Sequence, residues 1–337
     1  MQINKRVISS DEDKNVLHNV IYQDDIWATP DGSETLLDLF LNTSNTYSKN
    51  NFLGTIIKNK LNWQTYEEIQ EKVKIISVFF NKFTEKKDII GIFSVNRYEW
   101  LVSEYGSYMS GCINSPLYST YGPEAISLVL NETEMKICCC SYDKARSLYE
   151  IIKEFENQHL KVLVLFDDCD SDDFLLKNYE SLDVKVYFWN EIMKSKDLEG
   201  LRSHDLTGND LATICYTSGT TAKPKGVMLT HKNFISTVSS FMRGSKEVEM
   251  IQLTSNEVYL SYLPLAHVME RVCVNIVCAY GASIGFYRGN PKTIKDDYVV
   301  IKPTFIAAVP RVLNLFKEKI EDNYNQCLLL RDGYLNA

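Results

Sequence analysis

The chain has 337 residues, 45% of them hydrophobic, which is enough for one large or two ordinary domains with buried cores. A formal net charge of −8 argues against a nucleic-acid partner held by bulk electrostatics, although local lysines can still hold a smaller anion. The nine cysteines show neither C-x₂-C pairing nor histidine spacing suited to zinc, and such a free-thiol pattern fits a reducing compartment.

The polar N-terminus, MQINKRVISSDEDKN, carries no secretory signal, and residues 1–20 read as a mobile tail. Asn42 and Asn131 open glycosylation-type triplets, which without that signal are chance matches. After residue 60, helix and strand alternate. Thr65 and Glu68 form a capping box, with Ile69, Val73, Ile76 and Phe80 on one helical face behind it. Residues 88–93 predict a strand, 99–109 a helix and 123–130 another helix. Cys138, Cys139 and Cys140 then read as part of a buried strand of small, soft side chains. A helix over 144–155 precedes strands over 161–166 and 184–189. The polar stretch 190–210 is the softest boundary, dividing a first α/β unit, 21–200, from a second, 201–337. Beyond it, 211–216 predicts a strand and His231 begins a helix. Further strands are expected over 258–260, 284–287 and 305–309, with helices starting at His267 and Val312. The uncharged run 272–287 falls short of the about 20 residues a membrane span needs and contains Asn275, Gly281 and Gly285, so it reads as buried helix and strand. Continuous apolar strands between helices imply an α/β fold of parallel-rich sheets flanked by helices, with right-handed crossovers.

The densest chemistry lies in residues 217–226, TSGTTAKPKG. Thr217, Ser218, Thr220 and Thr221 supply hydroxyls, Lys223 and Lys225 supply charge, and Pro224 stiffens the return. Gly219 and Gly226 permit dihedrals closed to other residues. A loop between strand and helix is where N–H groups and hydroxyls converge on an anion. At an effective dielectric of about 20, one ammonium about 4 Å from a phosphate oxygen contributes on the order of 4 kcal/mol. The common P-loop is excluded, because counting from Gly219 the position that needs Lys holds Pro224. A second pattern, G-x-S-x-G over Gly281, Ser283 and Gly285, matches a serine nucleophile elbow. That elbow needs a strand before it and a helix after it, and here the expected order is reversed.

Residues 216–231, YTSGTTAKPKGVMLTH, resemble the phosphate-loop signature of the adenylate-forming acyl-activating enzymes, with Ala222 where that family has Gly. If that glycine serves a positive φ, alanine adds a strain of roughly 1 kcal/mol. Residues 261–271, SYLPLAHVMER, resemble the LPLAH-x-x-ER segment of the long-chain fatty acyl-CoA synthetases. Residues 96–100 (NRYEW), 114–118 (NSPLY), 284–290 and 302–314 are similar to the same family. The resemblance implies the large N-terminal domain of the adenylate-forming enzymes. It implies a ligase that joins a long-chain fatty acid to coenzyme A through an acyl adenylate, using ATP and releasing pyrophosphate and AMP.

By the same resemblance, Thr217, Ser218, Gly219, Thr220, Thr221, Lys223, Lys225 and Gly226 bind the nucleotide, and Thr220 contacts Mg²⁺. Lys225, the phosphate-facing lysine, and His267, beside the bound acid, are the catalytic candidates; Lys223 is a solvated flank. ATP, Mg²⁺ and coenzyme A are the implied cofactors, the fatty acid is the substrate, and no nucleic acid is involved. The location implied is cytoplasmic, with at most a peripheral contact at the endoplasmic reticulum membrane. The family continues into an aromatic-Gly-x-Thr-Glu segment, a Thr-Gly-Asp segment and a C-terminal lid domain with a catalytic lysine, none of which follows Arg311. Magnesium is usually held by one or two carboxylates with phosphates and water. The expectation is therefore an N-terminal part, truncated before the lid, with a half-site that lacks full ligase activity. The alternative is a non-catalytic remnant of the same fold that binds nucleotide, acyl chain or a partner.

Overall fold

A computed structural model describes residues 7–9, 17–19, 28–169, 174–202, 204–217, 223–247, 253–290 and 293–310, with parts of 312–324. β1 (Val7–Ser9) and β2 (Leu17–Asn19) form a separate antiparallel ribbon. α1 (Leu36–Thr46) starts at a capping box in which the Thr35 hydroxyl accepts from the Asp38 N–H while Asp38 accepts from the Thr35 N–H. β3 (Asn51–Ile57) and β4 (Lys60–Thr65) then form a hairpin. Its turn residues Lys58 and Asn59 have φ of +50° and +59°, as a type I′ turn requires. The Thr65–Glu68 box caps α2 (Tyr66–Phe80), which buries Ile69, Val73, Ile76 and Phe80 as the pattern requires.

Strand and helix then alternate through β5 (Ile89–Phe93), α3 (Tyr98–Met109), β6 (Ile113–Pro116), α4 (Pro123–Glu132), β7 (Ile137–Cys140), α5 (Tyr142–Glu154), β8 (Val162–Leu165), α6 (Phe174–Ser181), β9 (Lys185–Phe188) and the short α7 (Trp189–Ile192). The three consecutive cysteines lie buried in β7, where burial pushes each thiol up. After them come β10 (Leu211–Thr217), β11 (Lys225–Thr230), α8 (His231–Glu247), β12 (Val258–Ser261), α9 (Val268–Ala279), β13 (Ser283–Phe286) and α10 (Ile294–Ile301).

Two sheets result. One has seven strands in the order β11-β10-β6-β5-β7-β8-β9, parallel throughout except for the edge strand β11. The other runs β12-β13-β3-β4, with only β4 antiparallel. This is the α/β architecture of parallel-rich sheets and flanking helices that the sequence implies. The expected boundary near residue 200 separates chain segments and not sheets: β10 and β11 join the strands of the earlier segment, and β3 and β4 join those of the later one. Between them α3 is buried on every side from Glu99 to Met109, with Trp100, Tyr105 and Tyr108 fully enclosed. One core cluster runs from Leu36 and Phe40 through Phe52, Trp100 and Val164 to Val274 and Phe286, so both sheets share it. Each such large apolar side chain contributes about 1.5–3 kcal/mol by leaving water.

Local departures from expectation have local reasons. Residues 225–230 extend as β11, so two antiparallel strands, β10 and β11, precede the helix where the sequence suggested a direct strand-to-helix connection. The strand expected over 305–309 is reduced to a single parallel bridge between Tyr259 and Phe305, in a stretch flanked by Pro303 and Pro310, which offer no N–H to a ladder. Ser283 is the first residue of β13, follows helix α9 and donates to the Asn51 carbonyl at 2.9 Å, so the G-x-S-x-G string forms no nucleophile elbow. Among the described residues no helix is long and apolar enough to cross a membrane.

Candidate active site

Parallel strands place their carboxyl ends along one edge, where open α/β sheets hold ligands. The two sheets meet there through Asn96, which follows β5. Its Nδ2 donates to Ser261 Oγ at 2.9 Å and to the Leu263 carbonyl at 2.6 Å, and its Oδ1 accepts from the Leu265 N–H at 2.9 Å. One amide side chain thus pins the loop between β12 and α9, each bond contributing about 1 kcal/mol net. Its neighbour Arg97 grips both oxygens of Glu99, reaches Asp167 at 2.8 Å and lies over the Phe166 ring, joining the ends of β5 and β8.

The β10–β11 hairpin stands beside this junction. Thr217 pairs with Lys225 and Tyr216 with Gly226 across the strands. Thr217, Lys223, Lys225 and Gly226 are exposed; Ser218, Gly219, Thr220, Thr221 and Ala222 lie outside the described residues. The hairpin's base is fixed by polar bonds to the NSPLY segment and the loop that follows it. Thr213 Oγ1 lies 2.7 Å from Asn114 Oδ1, Ser115 Oγ donates to the Ile214 carbonyl at 3.2 Å, and the Tyr121 hydroxyl donates to the Tyr216 carbonyl at 2.8 Å. Tyr216 in turn donates to Glu132 at 3.0 Å. Gly226 has no positive φ, and a Cβ there would stand close, 3.0 Å from Ile214 Cγ2 and 3.1 Å from the Tyr216 ring, so those side chains would have to give by a few tenths of an ångström. On its outer flank, Lys223 and Pro224 face Gly122, Ser127 and Asn131 across a cleft of about 440 Å³.

In the second motif the candidate side chain, His267, stands among structural ones. His267 is the N-cap of α9; its Nδ1 accepts from the Met269 N–H at 3.2 Å and the ring is exposed. Glu270 and Arg271, one turn further in, are buried completely. Glu270 accepts from the Tyr259 hydroxyl at 2.7 Å. Burial pushes its carboxyl up to about 7, against hydrogen bonds from Ser261 and Tyr259 that hold it down. Arg271 forms an ion pair with Glu104 of α3 and donates to Thr213 Oγ1 at 2.9 Å in β10. The sequence strings contained Asn96, Asn114 and Arg271 but gave them no role. The one available signal was their polarity inside otherwise apolar elements.

The last residue of the phosphate-loop string, His231, is also structural. It is 1% exposed, its Nδ1 accepts from the Leu36 N–H at 3.3 Å, and its ring packs edge-on against Tyr108. Burial lowers it to about 4, so it is neutral in the fold. The residue proposed to meet magnesium, Thr220, lies outside the described residues, and among the described ones no group of three or more His, Cys, Asp or Glu side chains could hold a metal ion. The described residues therefore do not form a metal site.

A family model, AMP-binding enzyme, matches residues 47–331. Long-chain-fatty-acid–CoA ligase 5 of Mus musculus is 34% identical over 270 residues, covering 77% of this chain and 38% of its own length. The chain thus spans well under half the length of that curated relative. The adenylation domain of a carboxylate reductase from Mycobacterium chelonae superposes with a TM-score of 0.76 at 15% identity, covering 87% of this chain and 48% of that one. The A domain of a carboxylic acid reductase from Segniliparus rugosus, solved with AMP and a co-purified carboxylic acid, gives 0.74 at 16% identity over 87% of this chain and 51% of its own. At these identities the likeness to the solved structures is one of fold.

Proposed function

Because the chain belongs to the AMP-binding enzyme family, we propose that it supplies the nucleotide- and acid-handling part of an AMP-forming long-chain fatty acid–CoA ligase. In this reading a fatty acid carboxylate attacks the α-phosphate of ATP and pyrophosphate leaves. The thiolate of coenzyme A then displaces AMP from the acyl adenylate. The hydroxyls of Thr217, Ser218, Thr220 and Thr221 donate to the phosphates, Gly219 and Gly226 let the backbone approach, and Lys225 meets the charge growing on the departing pyrophosphate. Lys223 flanks the loop. Thr220 is the proposed contact for a magnesium ion, which would neutralise phosphate charge when bound with the nucleotide.

His267 has a definite polarity for its part. With Nδ1 accepting from the backbone, the neutral ring carries its proton on Nε2 and presents a donor outward. It does so at the N-terminus of α9, where the helix dipole favours an anion such as a carboxylate. A fatty acid substrate makes a peripheral membrane contact part of the proposal.

The observation that carries this reading is the register pair Thr217–Lys225, which holds a hydroxyl and an ammonium together at the rim of a firmly based hairpin. The test is palmitate-dependent exchange of pyrophosphate into ATP by the natural protein. Exchange is expected, and Lys225→Ala should abolish most of it. ATP binding with no palmitate-dependent exchange would remove the ligase and leave a nucleotide-binding protein of the same fold.

A further inference from the structure

The Arg271 side chain lies where the two candidate chemical groups can be tied together. It is wholly buried, as is Glu104, and each of its nitrogens has a partner. Nε donates to Glu104 Oε1 at 2.7 Å, and Nη2 donates to the same oxygen, to the Tyr108 hydroxyl at 3.1 Å and to Asn114 Oδ1 at 3.2 Å. Nη1 donates to Thr213 Oγ1 at 2.9 Å and lies 3.4 Å from Cys215 Sγ. The guanidinium also lies over the Trp100 and Phe234 rings, at 5.7 and 5.1 Å. A single residue of α9 therefore touches α3, β6, β10 and α8.

Two lever arms leave this point. Along β10, Thr213 stands four residues before Thr217, which is about 13 Å of extended chain to the rim of the phosphate loop. Along α9, Arg271 stands four residues after His267, about 6 Å of helix from the capping imidazole. Because the guanidinium is a rigid planar fork, its bonds to Glu104 on one side and to Thr213 and Cys215 on the other fix the height of the helix against the strand. An ammonium could keep the charge but could not hold both sides.

We propose that Arg271 is a positioning residue: through Glu104 and Thr213 it sets the separation between the His267 end of α9 and the phosphate-loop end of β10, and so aligns acid with nucleotide. This rests on the ligase reading above, since it is the alignment of those two substrates that gives the separation its meaning. Effective catalysis depends on alignment so steeply that a displacement of about 1 Å costs roughly 100-fold in rate.

The informative variant is Arg271→Lys, which keeps a positive charge beside Glu104 and gives up the fork to β10. In the natural protein it should remain folded with a lowered unfolding midpoint, and under conditions where it is fully folded kcat for palmitate-dependent pyrophosphate exchange should fall roughly 10–100-fold while KM for ATP stays within about threefold. Hydrogen exchange should quicken together at residues 213–217 and at the first turn of α9. A paired replacement, Glu104→Leu with Arg271→Met, removes the charges as well as the fork and should be folded and equally slow. Arg271→Lys with wild-type kcat and unchanged protection in both segments would overturn the proposal, as would a fully active double variant. If the wild-type protein itself shows no exchange, the ligase reading falls, and the coupled change in protection still decides whether Arg271 sets the two segments against each other.

Discussion

The β10–β11 hairpin and the loop from β12 into α9 each carry a recognisable motif, and they are held in opposite ways. The hairpin is closed by backbone pairing of Thr217 with Lys225 and leaves both of those side chains exposed. The second loop is held by buried side chains, Asn96 at its middle and Arg271 beneath it, and its own motif is divided: Leu265, Ala266, Glu270 and Arg271 are buried, while Pro264, His267, Val268 and Met269 are exposed. A motif is thus a mixture of exposed groups and of buried groups that hold them in place, and the mixture differs between the two loops. Sequence alone gives both kinds the same weight.

The contrast breaks most sharply if the interior of the second loop turns out to be dispensable. Glu104→Ala leaves the buried Arg271 guanidinium without its counter-charge and should cost about 3–5 kcal/mol in denaturant unfolding. A cost below about 1 kcal/mol would mean that the loop is held by something else. Lys225→Ala, on the exposed rim, should behave in the converse way: adenylation falls roughly 10²–10³-fold with the unfolding midpoint unchanged. Equal losses of activity and stability would erase the distinction between the loops.

Acidity probes the two interiors separately. Burial lowers His231, beneath the hairpin, from 6.5 to about 4, so the unfolded chain takes up its proton first. Its stabilisation is present above pH 6.5 and is lost as pH falls toward 4, by about 3 kcal/mol at 1.36 kcal/mol per unit. Glu270 is raised from 4.5 to about 7, so here the unfolded chain releases its proton first, and stability is lost as pH rises from 4.5 to 7. The slopes oppose one another. His231→Gln should expose a loss of stability with rising pH and Glu270→Gln the reverse, both read from urea midpoints across pH 4–7.5; unchanged profiles in both would contradict the burial of these groups.

The smallest of these effects should come from Asn96→Ala, about 1–3 kcal/mol, the cost of leaving the buried Leu265 N–H without its acceptor. It should raise hydrogen exchange at the Leu265 amide and leave the hairpin amides as they were. Loosening in both places would show that the loops are mechanically one unit.

Much of the fold was legible because its signals are local. The Thr65–Glu68 box, the helical face from Ile69 to Phe80 and the apolar strands β5, β8, β12 and β13 are each written within a dozen residues. The β3–β4 hairpin was not, since its turn is Lys58-Asn59 and not the Asn-Gly pair that usually marks a type I′ turn. The pairing of β3 beside β13 joins Leu53 to Ile284, a relation between distant segments that no local pattern encodes. The site divides along the same line. Hydroxyls and lysines gathered in one loop suggest anion chemistry by their type. Asn96 and Arg271 act through partners far away in the chain, so their types alone suggested nothing.

The hairpin also has a thermodynamic consequence. Since Thr217 and Lys225 are register partners, the stretch between them is fastened at both ends to one rigid bar, as a macrocycle is closed by its linking bond. Bringing the ends of a linear segment together has an entropic cost that grows as about (3/2)RT ln n. Here that cost was met when the sheet formed. A ligand held at the rim of the hairpin would not have to supply that closure, so more of each contact it made would be left for affinity.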